Sequence, residues 1–190
     1  THVPAARLFD ELLKLLTSGH ALACIQTLRS EGLHHGLLPL LDGIFASDAG
    51  ERFIQQALSN TDARIAADKS ISPGFLLAAL LWPQVLAAWH KRLAQGEHTT
   101  PALMAAADEV LEQQSDRLAI QKRFAADMRE IWLMQPRFDK RVGHSPLTLL
   151  GLPRFRAGFD FMRLRSEVGE LDADLADWWE EFSVVDDQAR

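Results

Sequence analysis

The chain has 190 residues, 47% of them hydrophobic, which is enough to bury a substantial core and excludes a disordered chain. Its formal net charge is -6, and the single Cys24 excludes an internal disulfide framework, so the reducing cytoplasm is the simplest compartment. Thr1-His2-Val3-Pro4 reads neither as an initiator start nor as a targeting peptide, and the chain reads as an excised piece.

Apolar residues recur at helical spacing from the outset: Leu8, Leu12, Leu13, Leu15 and Leu16, then Leu22, Ile25 and Leu28, with no strand-like alternation competing. Arg7, Glu11 and Lys14 are spaced for pairing along the first helix. Cys24 falls in the second helical run, where it reads as a small core residue, not a nucleophile. Gly19, Gly32 and Gly36 read as helix stops, and Asn60-Thr61-Asp62 as the cap of a helix containing Arg64 and Ile65. Ser72-Pro73 and Thr100-Pro101 each pair a capping residue with proline at the first helical position. Residues 70–90 contain no Asp, Glu, Lys or Arg. A membrane span needs about 20 apolar residues; Pro73, Gly74, Pro83, Gln84 and His90 interrupt this stretch, which predicts a buried central helix.

Over 119–137 the stripe Ile120, Phe124, Met128 and Ile131 predicts a helix whose opposite side carries Lys122 and Arg129 toward solvent. Over 153–168 the stripe is Phe155, Phe159 and Met162, with Arg156 and Arg163 flanking it on one side and Arg154 and Arg165 on the other. The last helix sets Asp172, Asp174, Asp177, Glu180 and Glu181 around Leu175, Trp178, Trp179 and Phe182, a solvated acidic face on an aromatic anchor. The fold class predicted is all-α, a single bundle of roughly eight to ten short helices joined by short loops, without a repeat period.

Charge is distributed unevenly. Residues 121–165 hold Lys122, Arg123, Arg129, Arg137, Lys140, Arg141, Arg154, Arg156, Arg163 and Arg165 against Asp127, Glu130, Asp139 and Asp160, a net of +6. The segments before and after carry -4 and -8. Because charges are screened over about 8 Å at physiological ionic strength, a local patch outweighs the net value. Two uses compete: a phosphate-binding face for nucleic acid, and a scaffold face that docks an acidic partner or the chain's own acidic end.

Catalytic motifs are wanting. Asp172-Ala173-Asp174 has Asp-x-Asp spacing, yet no Gly-Ser turn precedes it and it sits among acids at helical spacing. No GxxxxGK[ST] or GxGxxG loop occurs, and His34-His35 lacks partners at metal-ligating spacing. The residues point to no catalytic group and no metal site.

Six stretches in order carry a resemblance. They are Arg7-Leu8-Phe9-Asp10-Glu11-Leu12-Leu13-Lys14-Leu15-Leu16; Gly36-Leu37-Leu38-Pro39; Asn60-Thr61-Asp62-Ala63-Arg64-Ile65; Pro73-Gly74-Phe75-Leu76-Leu77-Ala78-Ala79-Leu80-Leu81-Trp82; Gln121-Lys122-Arg123 with Glu130-Ile131-Trp132; and Pro153-Arg154-Phe155-Arg156-Ala157-Gly158-Phe159-Asp160. Together they resemble the C-terminal helical region of bacterial poly(A) polymerase, in the tRNA nucleotidyltransferase superfamily. The resemblance implies a neck-like segment over 1–70 and a body over 71–190 packed as one unit, which hold RNA with little sequence preference. It implies a parent enzyme that transfers AMP from ATP to RNA 3' ends, with ATP and magnesium belonging to a catalytic head absent here. By itself the region is catalytically silent and needs no cofactor. An RNA helicase or nuclease is an expected protein partner; DNA and membrane are not. CCA-adding enzymes share the neck, but the stretches around Lys122 to Trp132 and Phe155 to Arg165 look more like the polyadenylating branch. Gln121 departs from the family's frequent proline, and Asp186-Asp187 stand where an arginine-rich tail is usual.

Overall fold

In a computed structural model, residues 4–31, 47–115 and 118–189 are described. They form α1 (Ala5–Leu16), α2 (Ala21–Ser30), α3 (Asp48–Ala66), α4 (Pro73–Ala94), α5 (Thr99–Ser115) and α6 (Lys122–Met134). A 3₁₀ turn (Gln135–Asp139), α7 (Ser145–Leu150), α8 (Phe155–Glu167) and α9 (Ala173–Ala189) complete the chain. Among the described residues there is no strand, and the class is all-α as the periodicity predicts. Gly32, His34, His35 and the Gly36-Leu37-Leu38-Pro39 turn lie outside the described residues.

α4 is the central helix. Ser72 Oγ accepts from the Phe75 amide at 3.3 Å with Pro73 at the first turn, the cap that the sequence announces. Leu76 through Trp82, then Val85 and Trp89, are buried against α3, α5, α6 and α8. Pro83 removes one backbone donor from the helix interior, yet packing on several sides keeps α4 continuous. At Gly50 of α3 an added Cβ would lie 2.9 Å from Ser47 Oγ and 3.0 Å from Pro83 Cβ, so α3 crosses α4 at a close approach that glycine accommodates without displacing its neighbours. No helix among the described residues is long and apolar enough to cross a membrane.

Two hydrophobic cores share α8. The first gathers Phe9, Leu12 and Leu16 of α1, Phe53 and Leu58 of α3, the α4 run, and Met128, Ile131 and Trp132 of α6 around Phe161 and Leu164. Phe161 lies 5.6 Å from Phe53, 5.8 Å from Phe75 and 5.4 Å from Trp82, ring centroid to centroid. The second gathers Phe138, Leu149, Leu175 and Trp179 around Phe155, Phe159 and Met162. The α8 stripe read from spacing is therefore one of two apolar faces.

A buried polar network locks this joint. Gln135, 2% exposed, donates to the Ile131 and Gly158 carbonyls at 2.9 and 3.2 Å and accepts from Arg165 at 3.2 Å. Arg165 lies 4.8 Å above the Trp82 ring and pairs with Glu170, whose carboxylate also accepts from Trp82 Nε1 at 3.1 Å. Gly169, at φ +81°, closes α8: its own amide donates to the Ser166 carbonyl and the Glu170 amide to that of Arg165, at 3.0 and 2.9 Å. This αL turn swings Glu170 back onto Arg165.

Three local expectations change. Asn60-Thr61-Asp62 does not start a helix; α3 begins at the Ser47 cap, where Ser47 Oγ accepts from the Gly50 amide at 3.1 Å, and runs through all three. Asp62 instead caps α2, accepting from the Ala21 and Leu22 amides at 3.0 and 3.1 Å, so its partner helix lies far away in sequence. α5 starts at Thr99, which moves Pro101 inside the first turn. Cys24 is half-buried on α2, not a core residue.

Candidate nucleic-acid interface

The ten basic residues of 122–165 separate by what faces each one. Arg129 leans on α5 and grips Asp108 with both arms of its guanidinium, at 2.9 and 3.4 Å, which raises its affinity for its proton through that hydrogen bond. Arg154, at the start of α8, reaches α6 and pairs with Asp127, and with Glu130 at 2.9 Å. Arg156 and Arg163 both reach Asp160 Oδ1 at 3.3 Å and lie over the Phe159 ring at 5.3 and 5.5 Å. Arg165 is 6% exposed, enclosed in the network above, and out of reach of any macromolecule. Its position beside Glu170 depends on the Gly169 turn and on Trp82, which spacing along α8 does not reveal.

Five bases meet no carboxylate among the described residues: Lys122, Arg123, Arg137, Lys140 and Arg141. They fall at the two ends of α6, whose 13 residues span about 20 Å. Lys122 and Arg123 occupy its first turn, opposed to the helix dipole, and the cap residue Gln121 bonds no helix amide with its side chain but accepts from Arg123 Nε at 3.0 Å. Arg123 lies 4.7 Å over the Phe124 ring, and Phe124 packs 6.1 Å from Phe9 of α1. At the other end, Arg137 lines a shallow groove with Glu130, Leu133, Met134, Leu152, Pro153 and Arg154 without an ion pair to Glu130, followed by exposed Lys140 and Arg141. The sequence predicts one continuous strip; the fold makes two patches with a carboxylate-tied middle.

The acidic helix α9 packs on the 3₁₀ turn that carries Arg137, where Trp179 Nε1 donates to the Phe138 carbonyl at 2.9 Å. Asp172, Asp174, Asp177, Glu180 and Glu181 form no ion pair with these bases among the described residues. The neutralising carboxylates come from α5, α6, α8 and the turn after α8. One basic residue escaped the linear reading: Arg64 of α3 acts electrostatically on Asp160 from a packed neighbouring helix, and nothing nearby in sequence signals it. Among the described residues no three His, Cys, Asp or Glu side chains gather as a metal site.

Comparison with known families decides the relationship. Residues 95–190, which include every base considered above except Arg64, match the family described as "Polymerase A arginine-rich C-terminus". This chain belongs to that polymerase A family. Residues 1–45 match "Probable RNA and SrmB- binding site of polymerase A". The chain is 37% identical over 194 residues to Poly(A) polymerase I of Haemophilus influenzae, covering 100% of this chain and 43% of that protein. It is 38% and 39% identical over 190 residues to Poly(A) polymerase I of Escherichia coli and of Salmonella typhi, covering 96% of this chain and 40% of each. The chain thus spans about two fifths of the length of these relatives. The polymerase A assignment and the fold meet at one point: α1, inside the first matched segment, abuts Lys122 and Arg123, which form no ion pair among the described residues and lie inside the second, through Phe9 and Phe124.

Proposed function

We propose that this chain is the RNA-holding region of a cytoplasmic poly(A) polymerase, gripping phosphates with the two unpaired patches at the ends of α6. The observation that carries this reading is the patch of Lys122 and Arg123 beside α1. Two cations at a helix N-terminus oppose the dipole and repel each other, an arrangement that a phosphodiester relieves. Binding of this kind reads charge more than sequence. The full-length enzyme would transfer AMP from ATP to RNA 3' ends, with magnesium and ATP held by a catalytic head that these residues do not supply. The relatives' shared name supports the polyadenylating branch over the CCA-adding one.

The test is fluorescence anisotropy with labelled oligo(A) and the purified chain. Wild type binds at low salt, and Lys122→Glu with Arg123→Glu weakens binding at least tenfold. Absence of wild-type binding at low salt would overturn the reading.

A second reading comes from the description matched by residues 1–45, which names SrmB beside RNA. On it, α1 and α2 dock a protein of RNA turnover, a helicase or nuclease. Pull-down before and after nuclease treatment separates the two, since a partner kept after RNA is destroyed is held by the protein itself.

A further inference from the structure

Arg64, Arg156, Arg163 and Asp160 form a cluster on the α3–α8 seam, away from both patches above. α3 and α8 pack together there, and Asn60 Nδ2 donates to Glu167 Oε2 across the seam at 3.3 Å. One turn further along α3 is Arg64; one turn back along α8 is Arg163. Arg64 is fixed by two hydrogen bonds, Nε and one terminal nitrogen donating to the Ser70 carbonyl at 3.2 and 2.9 Å, which leaves its other terminal nitrogen uncommitted. Arg156 and Arg163 are held over Phe159, so their guanidinium groups start from restricted positions.

The partner of these arginines is poorly suited to them. A guanidinium presents a planar fork that a carboxylate or phosphate satisfies with two parallel bonds. Here a single oxygen of Asp160 serves two arginines, each at 3.3 Å, so neither fork is filled. Asp160 is also partly buried, and that desolvation holds its carboxyl above its ordinary value despite Arg156, Arg163 and Arg64 nearby. The fold makes its negative charge unwelcome. The face's other carboxylate, Glu167, is engaged by Asn60. Among the described residues, Asp160 is the one carboxylate that ion-pairs with Arg156 and Arg163.

We infer that Arg64, Arg156 and Arg163 bind one phosphodiester of the RNA strand, and that Asp160 is a built-in competitor which the phosphate displaces. This rests on the RNA-holding reading above and extends it to a third site that includes α3. A phosphodiester offers the arginines two charged non-bridging oxygens free to move, where helix-tethered Asp160 presents one to both. Asp160 occupies Arg156 and Arg163 until RNA arrives, and weakens the site by competing with it.

The experiment uses the full chain with labelled oligo(A), at one salt concentration and across a salt series. Asp160→Asn should tighten binding roughly threefold to tenfold with little change in the log K against log salt slope, because a competitor is removed while the same phosphate is engaged. Arg64→Gln should weaken binding severalfold, whereas Arg52→Gln on the same helix should change little. Wild-type binding with no gain in the Asp160 variant and no loss in the Arg64 variant would overturn this inference while leaving the RNA-holding reading intact. Absence of wild-type binding would overturn both. Should the Asp160 variant gain affinity for a polyglutamate peptide and not for oligo(A), the cluster serves an acidic protein and the inference fails. Arg64→Gln, a change at an exposed side chain, keeps the test decisive if the Asp160 variant does not fold.

Discussion

The middle of the basic segment and its two ends are built from the same side chains, yet they differ in what each cation faces. In the middle, Arg129 grips Asp108, Arg154 spans Asp127 and Glu130, and Arg165 is enclosed with Glu170, Gln135 and Trp82. At the ends, Lys122, Arg123, Arg137, Lys140 and Arg141 meet no carboxylate among the described residues. A basic run in a sequence therefore mixes two populations: cations that brace helices and cations left for a ligand. Arg156 and Arg163 stand between the two, with a partner that the fold itself disfavours.

The largest expected effect lies in the middle. Arg165→Ala should lower stability by about 3–5 kcal/mol in urea denaturation, because the partly buried Glu170 charge then keeps only the Trp82 Nε1 bond and the buried Gln135 Oε1 loses its donor. The control is internal. Arg92 and Glu97 repeat the arrangement at the end of α4, where Gly96, at φ +89°, turns Glu97 back toward Arg92 at 3.3 Å. Arg92 also reaches Glu109 of α5 at 3.4 Å, and both pairs are exposed enough that Arg92→Ala should cost less than about 1 kcal/mol. Equal losses at the two sites would erase the distinction between bracing and surface pairs.

Reversing the ends should act in the opposite direction on stability. Lys122→Glu with Arg123→Glu places acidic groups where the α6 dipole favours them, worth about 0.3–1 kcal/mol each, while RNA affinity falls. A melting temperature that rises as binding falls away is the signature of a site kept for function. A fall in both would mean that these side chains brace α1 against α6.

Arg129→Ala is predicted to have a smaller effect, below about 1 kcal/mol, since the Asp108 pair is largely in solvent. The smallest effect concerns pH. Asp160 is held above its ordinary 3.8, so the native chain keeps this proton to higher pH than the unfolded chain does. Its contribution is largest in acid and is lost as pH rises through the native pKa. Urea midpoints compared between pH 4 and 7 should therefore fall more for wild type than for Asp160→Asn; parallel curves would contradict the burial argument.

Much of the fold was legible from spacing. The α8 stripe of Phe155, Phe159 and Met162 is buried as 3.6-residue periodicity requires, as are Phe124, Met128 and Ile131 of the α6 stripe, whereas Ile120 precedes the helix and is half-buried. The Ser72-Pro73 start of α4 is where a cap and an N1 proline place it. Phe161 and Leu164 were not legible, because a helix wedged between two cores has a second apolar face that a single stripe hides. The basic segment could be located from charge alone, but its division could not. Arg129 with Asp108, Arg154 with Asp127, Arg165 with Glu170, and Arg64 near Asp160 are tertiary encounters, and sequence neighbours do not report which carboxylate a folded chain will bring to a guanidinium.

The most direct test of the division between ends and middle is the salt dependence of oligo(A) binding in two charge-removing variants. One replaces Lys122, Arg123, Arg137, Lys140 and Arg141 with Gln; the other replaces Arg129 and Arg154. The account predicts that the first flattens the log K against log salt slope by about 0.7 for each phosphate that is no longer neutralised, while the second leaves it unchanged. A slope flattened by the middle variant and untouched by the end variant would contradict it.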